Sequence, residues 1–111
     1  MKADPGTQRT KLSGQSAQPA APWRVVSAEA LAGMRLRATF VDGTAGEVEM
    51  EAFLAADAVT GTVFEALRDA DLFARVQVVL GAVQWPNGAD LAPDAMYDAI
   101  RRDGRWVVPA P

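Results

Sequence analysis

Three pairs of closely spaced carboxylates are the residues with the most obvious chemical potential: Asp69 with Asp71, Asp90 with Asp94, and Glu47 with Glu49. Paired carboxylates can bind Mg²⁺ or carry out acid–base hydrolysis. The spacing does not require either role, because members of the first two pairs fit turn or cap positions and the glutamates share a solvated strand face. A small carboxylate- or metal-dependent hydrolase that uses the four aspartates therefore remains an alternative function.

The chain contains no histidine and no cysteine. Catalytic triads and dyads that need an imidazole or a thiolate cannot be assembled from it, and neither can a thiolate zinc site or a disulfide framework. We expect a protein without catalytic residues, cofactor or metal ion. The absence of cysteine is usual for a reducing compartment.

The charges are unevenly distributed along the sequence. Residues 1–22 carry a net charge of +2, whereas the remainder has eight arginines against thirteen carboxylates, a net of −5. An acidic body argues against nucleic-acid binding except through a partner. A DNA-binding regulator is the second alternative function, but it has only Arg101 and Arg102 at the end of the last predicted helix, where cations also balance the helix dipole.

Length and composition indicate one small domain. Residues 1–22 are rich in Gly, Ser, Gln, Ala and Pro, and we expect them to form a disordered tail. A single α+β domain is predicted over residues 23–103, with residues 104–111 as a C-terminal extension that either adds an edge strand or lies on the surface. No apolar run approaches the length of a membrane span and no secretion signal is evident, so we expect a cytoplasmic protein without a membrane partner.

Alternating polar and apolar residues predict the first part of a sheet. A strand over Trp23–Ala28 is followed by alternation over 34–40 and again over 46–51. A three-residue loop, Val41 to Gly43 with Gly43 left-handed, brings the apolar faces together. The resulting cross-strand pairs are Leu36 with Val48, Met34 with Met50, Arg37 with Glu47, and Arg35 with Glu49.

The second half of the sequence predicts short helical pieces, a hairpin and a final helix. Val63, Phe64 and Leu67 have helical spacing, and Asp69 fits the cap of a second helical turn. A hairpin turning at Leu80-Gly81 pairs Val78 with Val83 and Val76 with Trp85. Pro93 fits the first position of a helix that ends at Gly104. The predicted fold is α+β, a small antiparallel sheet built from β-hairpins with short helices and a C-terminal helix packed on one face.

The segment Trp85–Leu91, hereafter the corner loop, joins that hairpin to the final helix. Pro86 ends the strand, Asn87-Gly88 can form a tight turn, and Asp90 can accept backbone amides near the helix start. Every one of these residues therefore has a structural role available. The functional hypothesis is that Trp85, Pro86, Asn87 and Asp90 present an aromatic face, an amide and a carboxylate to a partner.

Several of these segments together resemble the family of small bacterial domains known as domain of unknown function 2442. The matching stretches are LRATFVDG from Leu36, VFEALRDADLF from Val63, and WPNGADLAP from Trp85, followed by Met96-Tyr97. The resemblance implies a compact α+β domain with an antiparallel sheet and a C-terminal helix. It also implies a small protein encoded beside another small protein, with a suggested antitoxin-like role and no established catalytic residues.

The leading functional hypothesis is a non-enzymatic interaction module, and its specific form is the acidic, antitoxin-like partner of a small basic, toxin-like protein. An acidic surface speeds association with a basic partner without setting the affinity. The corner loop and the neighbouring sheet edge are the predicted contact.

Overall fold

The computed structural model describes residues 21–111, so most of the predicted tail over residues 1–22 lies outside the described residues. The strands are β1 Val25–Leu31, β2 Arg35–Phe40, β3 Ala45–Glu49, β4 Gln77–Val79, β5 Ala82–Gln84 and β6 Arg105–Val107, and the helices are α1 Glu51–Ala55, α2 Ala70–Phe73 and α3 Pro93–Asp103. The α+β prediction is confirmed. Among the described residues no helix has the length and apolar character needed to cross a membrane.

The larger sheet has the strand order β1-β2-β3-β6. Its first three strands are antiparallel, and Leu36 lies opposite Val48, as the alternation predicts. The loop between β2 and β3 is the predicted one, because the Phe40 amide donates to the Thr44 carbonyl at 2.8 Å and Gly43 has φ 91°. The register follows from a pleat that cannot bury one strand's apolar face while exposing its neighbour's. The first strand begins two residues later than predicted, at Val25, and extends to Leu31.

The C-terminal extension contributes the edge strand β6, one of the two outcomes left open by the sequence. It pairs in parallel with β3, with Trp106 opposite Val48. The Val108 amide continues this contact by donating to the Glu49 carbonyl at 2.9 Å, and Val108 is buried. The larger sheet is therefore mixed rather than purely antiparallel.

The hairpin of β4 and β5 forms a separate two-stranded sheet. Val78 lies opposite Val83 as predicted, but the ladder ends at Gln77, so the predicted pair of Val76 with Trp85 falls beyond it. Leu80 and Gly81 both have positive φ, as a two-residue turn between twisted strands requires.

Short helical turns connect the two sheets. Asp69 caps α2 as predicted, because its carboxylate accepts a hydrogen bond from the Asp71 amide at 2.9 Å. The predicted helix around Val63 is shorter than its apolar spacing suggests. It is a 3₁₀ turn over Glu65–Arg68 that buries Leu67 and leaves Val63 outside and exposed.

Helix α3 packs on the buried face of the larger sheet. Pro93 is in its first turn and Gly104, with φ 82°, ends it, as predicted. The ring of Tyr97 meets Phe40 edge to face at 5.1 Å between centroids. Ile100 lies over Gly46, where the methyl group of an alanine would come within 2.7 Å of Ile100 Cγ2 and of the Gly104 carbonyl oxygen. The sheet and α3 therefore touch at a point where only glycine fits.

We expect Gly46→Ala to lower the free energy of unfolding by about 1–3 kcal/mol, because the added methyl overpacks this contact. Urea denaturation followed by far-ultraviolet circular dichroism measures the change. The matched background is Ile100→Ala, which removes one of the two obstacles. In that background Gly46→Ala should lower the free energy of unfolding by a smaller amount. Equal losses in both backgrounds would show that the close approach to Ile100 does not limit the packing.

Candidate interaction site

Trp85 is the first residue of the corner loop and lies inside the core. Its side chain is only 1 % exposed, and its indole Nε1–H donates to the Phe73 carbonyl at 2.9 Å. The ring also packs on Phe73, with 5.7 Å between centroids. Contrary to the sequence hypothesis, Trp85 does not present an aromatic face to the surface. It fastens the corner loop to the end of α2, since a buried indole needs a hydrogen-bond acceptor.

Backbone hydrogen bonds hold the corner loop in one conformation. The Trp85 amide donates to the Ala89 carbonyl at 2.8 Å, and the Gly88 amide donates to the Trp85 carbonyl at 2.9 Å. Beyond the turn, the Leu91 amide donates to the Val83 carbonyl at 3.1 Å, so the loop runs back alongside β5. The loop therefore closes on itself before α3 begins.

The exposed side chain of Asn87 holds the corner loop in place through two hydrogen bonds. Its Nδ2 donates to the Val63 carbonyl at 2.9 Å, and its Oδ1 accepts a hydrogen bond from the Ala89 amide at 3.2 Å. This places Val63, which is 45 % exposed, beside the loop. The helical spacing of Val63 predicts burial, and the sequence offers no local signal for this contact because its partner is 24 residues away.

The exposed part of the corner loop consists of Pro86, Asn87, Gly88 and Asp90. Within residues 21–111, no hydrogen bond or ion pair engages the Asp90 carboxylate. The predicted role of this carboxylate in accepting amides near the helix start is therefore absent from the described structure. The structure thus brings Asn87 and Asp90 onto one loop beside Val63, with Trp85 beneath them. Whether this surface contacts a partner remains a prediction.

Four of the other five candidate carboxylates have local partners, and the carboxylate of Asp71 has none within residues 21–111. Asp69 holds the Asp71 amide, and Asp94 accepts from the Ala95 amide at 2.9 Å. Glu47 is paired with Arg35 at 2.7 Å and Glu49 lies 3.7 Å from Arg105. In the part of the chain that the structure describes, no group of three or more such residues is arranged to hold a metal ion.

Asp42 joins the β2–β3 turn to α3. Its carboxylate accepts hydrogen bonds from the Tyr97 hydroxyl at 2.6 Å and the Thr44 amide at 2.9 Å, and Arg101 lies 3.8 Å away. The Tyr97 hydrogen bond is the main reason that the pKa of Asp42 is held below its usual range, followed by the Thr44 amide. This aspartate is therefore ionised at neutral pH and ties the turn to the helix.

A shallow depression of about 290 Å³ lies between the β1–β2 turn and α1, with Met34, Leu54 and Arg68 in its lining. The guanidinium of Arg68 spans it by donating to the Leu54 carbonyl at 2.6 Å and to the Ala56 carbonyl at 3.1 Å. These hydrogen bonds satisfy carbonyls at the end of α1, so the arginine has a structural role here.

Comparison with known proteins gives one match. The family model described as "Protein of unknown function (DUF2442)" matches residues 25–102, which include strands β1 to β5, the corner loop and nearly all of α3. No curated protein and no solved structure matches the chain.

Within the corner loop, Asn87 and Asp90 should differ in their effects on stability. We expect Asn87→Ala to lower the free energy of unfolding by about 1–2 kcal/mol, since it removes two hydrogen bonds that lock the loop. Asp90→Ala should change it by no more than about 0.5 kcal/mol. Urea denaturation of both variants provides the measurement, and an equally large loss for Asp90→Ala would mean that this carboxylate is structural.

Asp42 should contribute to stability in a pH-dependent way. Because its folded-state pKa is lowered, its contribution is complete above the pKa of the unfolded state and is lost as the pH falls through the folded-state pKa. The free energy of unfolding of the wild type should therefore fall more steeply in acid than that of Asp42→Asn. Tyr97→Phe removes the strongest donor and should give an intermediate slope. Parallel pH profiles for wild type and Asp42→Asn would contradict this assignment.

Proposed function

The chain belongs to the DUF2442 family of proteins of unknown function, and we propose that it is a cytoplasmic, non-enzymatic interaction module that binds a small basic protein through the corner loop. An antitoxin-like role, in which an acidic protein neutralises a basic toxin, is the specific form of this proposal. The observation that carries it is Asp90, whose exposed carboxylate sits on a rigid loop and takes part in none of the hydrogen bonds or ion pairs within residues 21–111.

The rigidity of the corner loop supports this role. Its conformation is set by the buried indole of Trp85, by the backbone bonds around Gly88 and by the two hydrogen bonds of Asn87. A partner that binds a preformed loop does not have to order it, which removes part of the entropic cost of association. The loop also offers apolar contact area, because Pro86 within it and Val63 beside it are both exposed.

Charge indicates the kind of partner. Residues 23–111 carry thirteen carboxylates and eight arginines. Such a surface raises the encounter rate with a basic protein and disfavours acidic ones. A carboxylate without an internal partner adds a local contact to this general attraction, because it can meet a lysine or arginine without first breaking an ion pair.

Co-purification from cells of the native host, with the full chain as bait, tests the proposal. We expect a basic protein to be recovered with the wild type and to associate about three- to tenfold more slowly with Asp90→Lys at low ionic strength. Association rates of the purified pair, measured by surface plasmon resonance at two salt concentrations, provide the quantity. The difference should shrink at high salt.

The matched control is Asp103→Lys, which makes the same change in net charge at the opposite end of α3 from the corner loop. Circular dichroism should show both variants folded. Recovery of no specific basic partner, or equal slowing by the two variants, would contradict the assignment of the corner loop as the contact.

A further inference from the structure

Strand β1 forms one edge of the larger sheet. The hairpin of β4 and β5 packs beside this strand, and the Val25 amide donates to the Gly81 carbonyl at 2.9 Å. From Val26 to Leu31, the described residues provide no backbone partner on the side away from β2. The outward-facing backbone groups of these six residues, about the usual length of a strand, therefore make no hydrogen bond to the neighbouring hairpin.

A row of alternating charges crosses the exposed face of this sheet and ends at that edge. The register places Glu29 opposite Arg37, Arg37 opposite Glu47, and Glu47 opposite Arg105. Each interior member of the row has an opposite charge on both sides. Glu29 has one only on the β2 side, so a further strand would continue the pattern by placing a lysine or arginine opposite it.

The buried face of β1 bears small residues. Ala28 and Ala30 are partly buried and pack against the core, and they lie opposite Ala38 and Leu36. Because alanine side chains are small, Ala28 and Ala30 cover little of the core at this edge. Apolar side chains of an added strand, placed opposite Ala28 and Ala30, would extend that face.

The charge of β1 favours a strand from another protein over a strand from a second copy of this chain. Glu29 is the only charged residue of this strand, so pairing with the same strand of a second copy supplies no cation to meet it. Antiparallel self-pairing centred on Ala28 would instead bring the two glutamates to diagonal positions on one face. A charge of this kind discourages self-association at a sheet edge and leaves the edge open to a basic strand.

We propose that β1 accepts an extended segment of a basic partner by strand addition, with lysine or arginine opposite Glu29 and apolar residues opposite Ala28 and Ala30. The inference rests on the proposed function insofar as it identifies how a basic partner would be held, and its test needs no natural partner.

The probe is a nine-residue capped peptide of alternating threonine and valine with lysine at its centre, and the control peptide has glutamate there. Each is titrated into the isotope-labelled full chain and followed by two-dimensional amide NMR. The lysine peptide should shift the amides of residues 26–31 and protect alternate ones from hydrogen exchange. The glutamate peptide should bind about three- to tenfold more weakly.

Charge reversal provides the matched protein variants. Glu29→Lys should exchange the preference of the two peptides, whereas Asp98→Lys, the same change on the exposed side of α3, should leave it unaltered. Binding of the lysine peptide with the preference unchanged by Glu29→Lys would overturn the proposal, as would no perturbation of residues 26–31.

Two other possible occupants of the β1 edge would give different NMR results. Amides of β1 that shift with protein concentration alone would indicate a second copy, and protection independent of both concentration and peptide would indicate residues 1–20 of the same chain. Either outcome overturns the proposal. If the peptide binds as expected while co-purification yields no basic partner, strand addition stands and the proposed function through the corner loop fails.

Discussion

The hydrogen bond from the indole of Trp85 to the Phe73 carbonyl is the interaction on which the arrangement of the molecule depends. It lies in the core and joins the end of β5 to the end of α2, two segments that no strand ladder connects. The Phe73 carbonyl also accepts the Val76 amide at 3.3 Å, so loss of the indole donor would leave it with one longer hydrogen bond, at a cost of about 0.5–1.5 kcal/mol. The orientation of the corner loop, and through it the start of α3, follows from bringing the buried indole to that acceptor.

Local rules were enough to predict much of the fold. The register of β2 and β3 follows from the pleat and from Gly43, and the bounds of α3 follow from Pro93 and Gly104. These features depend on residues that are near one another in sequence. The parallel pairing of β6 with β3 does not, because 50 or more residues separate the paired strands and several arrangements of the intervening chain satisfy the same alternation.

The candidate site was predicted less well than the fold, for a physical reason. The order of residues in the corner loop indicates a turn, but it does not reveal which side of the turn faces the core. That choice depends on Phe73, which supplies an acceptor for the indole, and on Val63, which supplies one for Asn87. Both acceptors are backbone carbonyls, so the pattern of side chains in the sequence does not indicate which residues supply them. The positive φ of Leu80 is equally absent from the sequence pattern, because asparagine or glycine is the residue preferred in such a turn.

The two edges of the larger sheet are unlike each other, and this limits what the sheet can build. The β6 edge is only three residues long and is followed by Pro109 and Pro111, which lack an amide hydrogen, whereas the β1 edge contains no proline. Fibrous growth requires each unit to offer two compatible edges, so that every addition creates a new end. If β1 accepts a strand as proposed, the β6 edge offers no second site of the same kind. The fold would then expose a strand for recognition without becoming the seed of a filament.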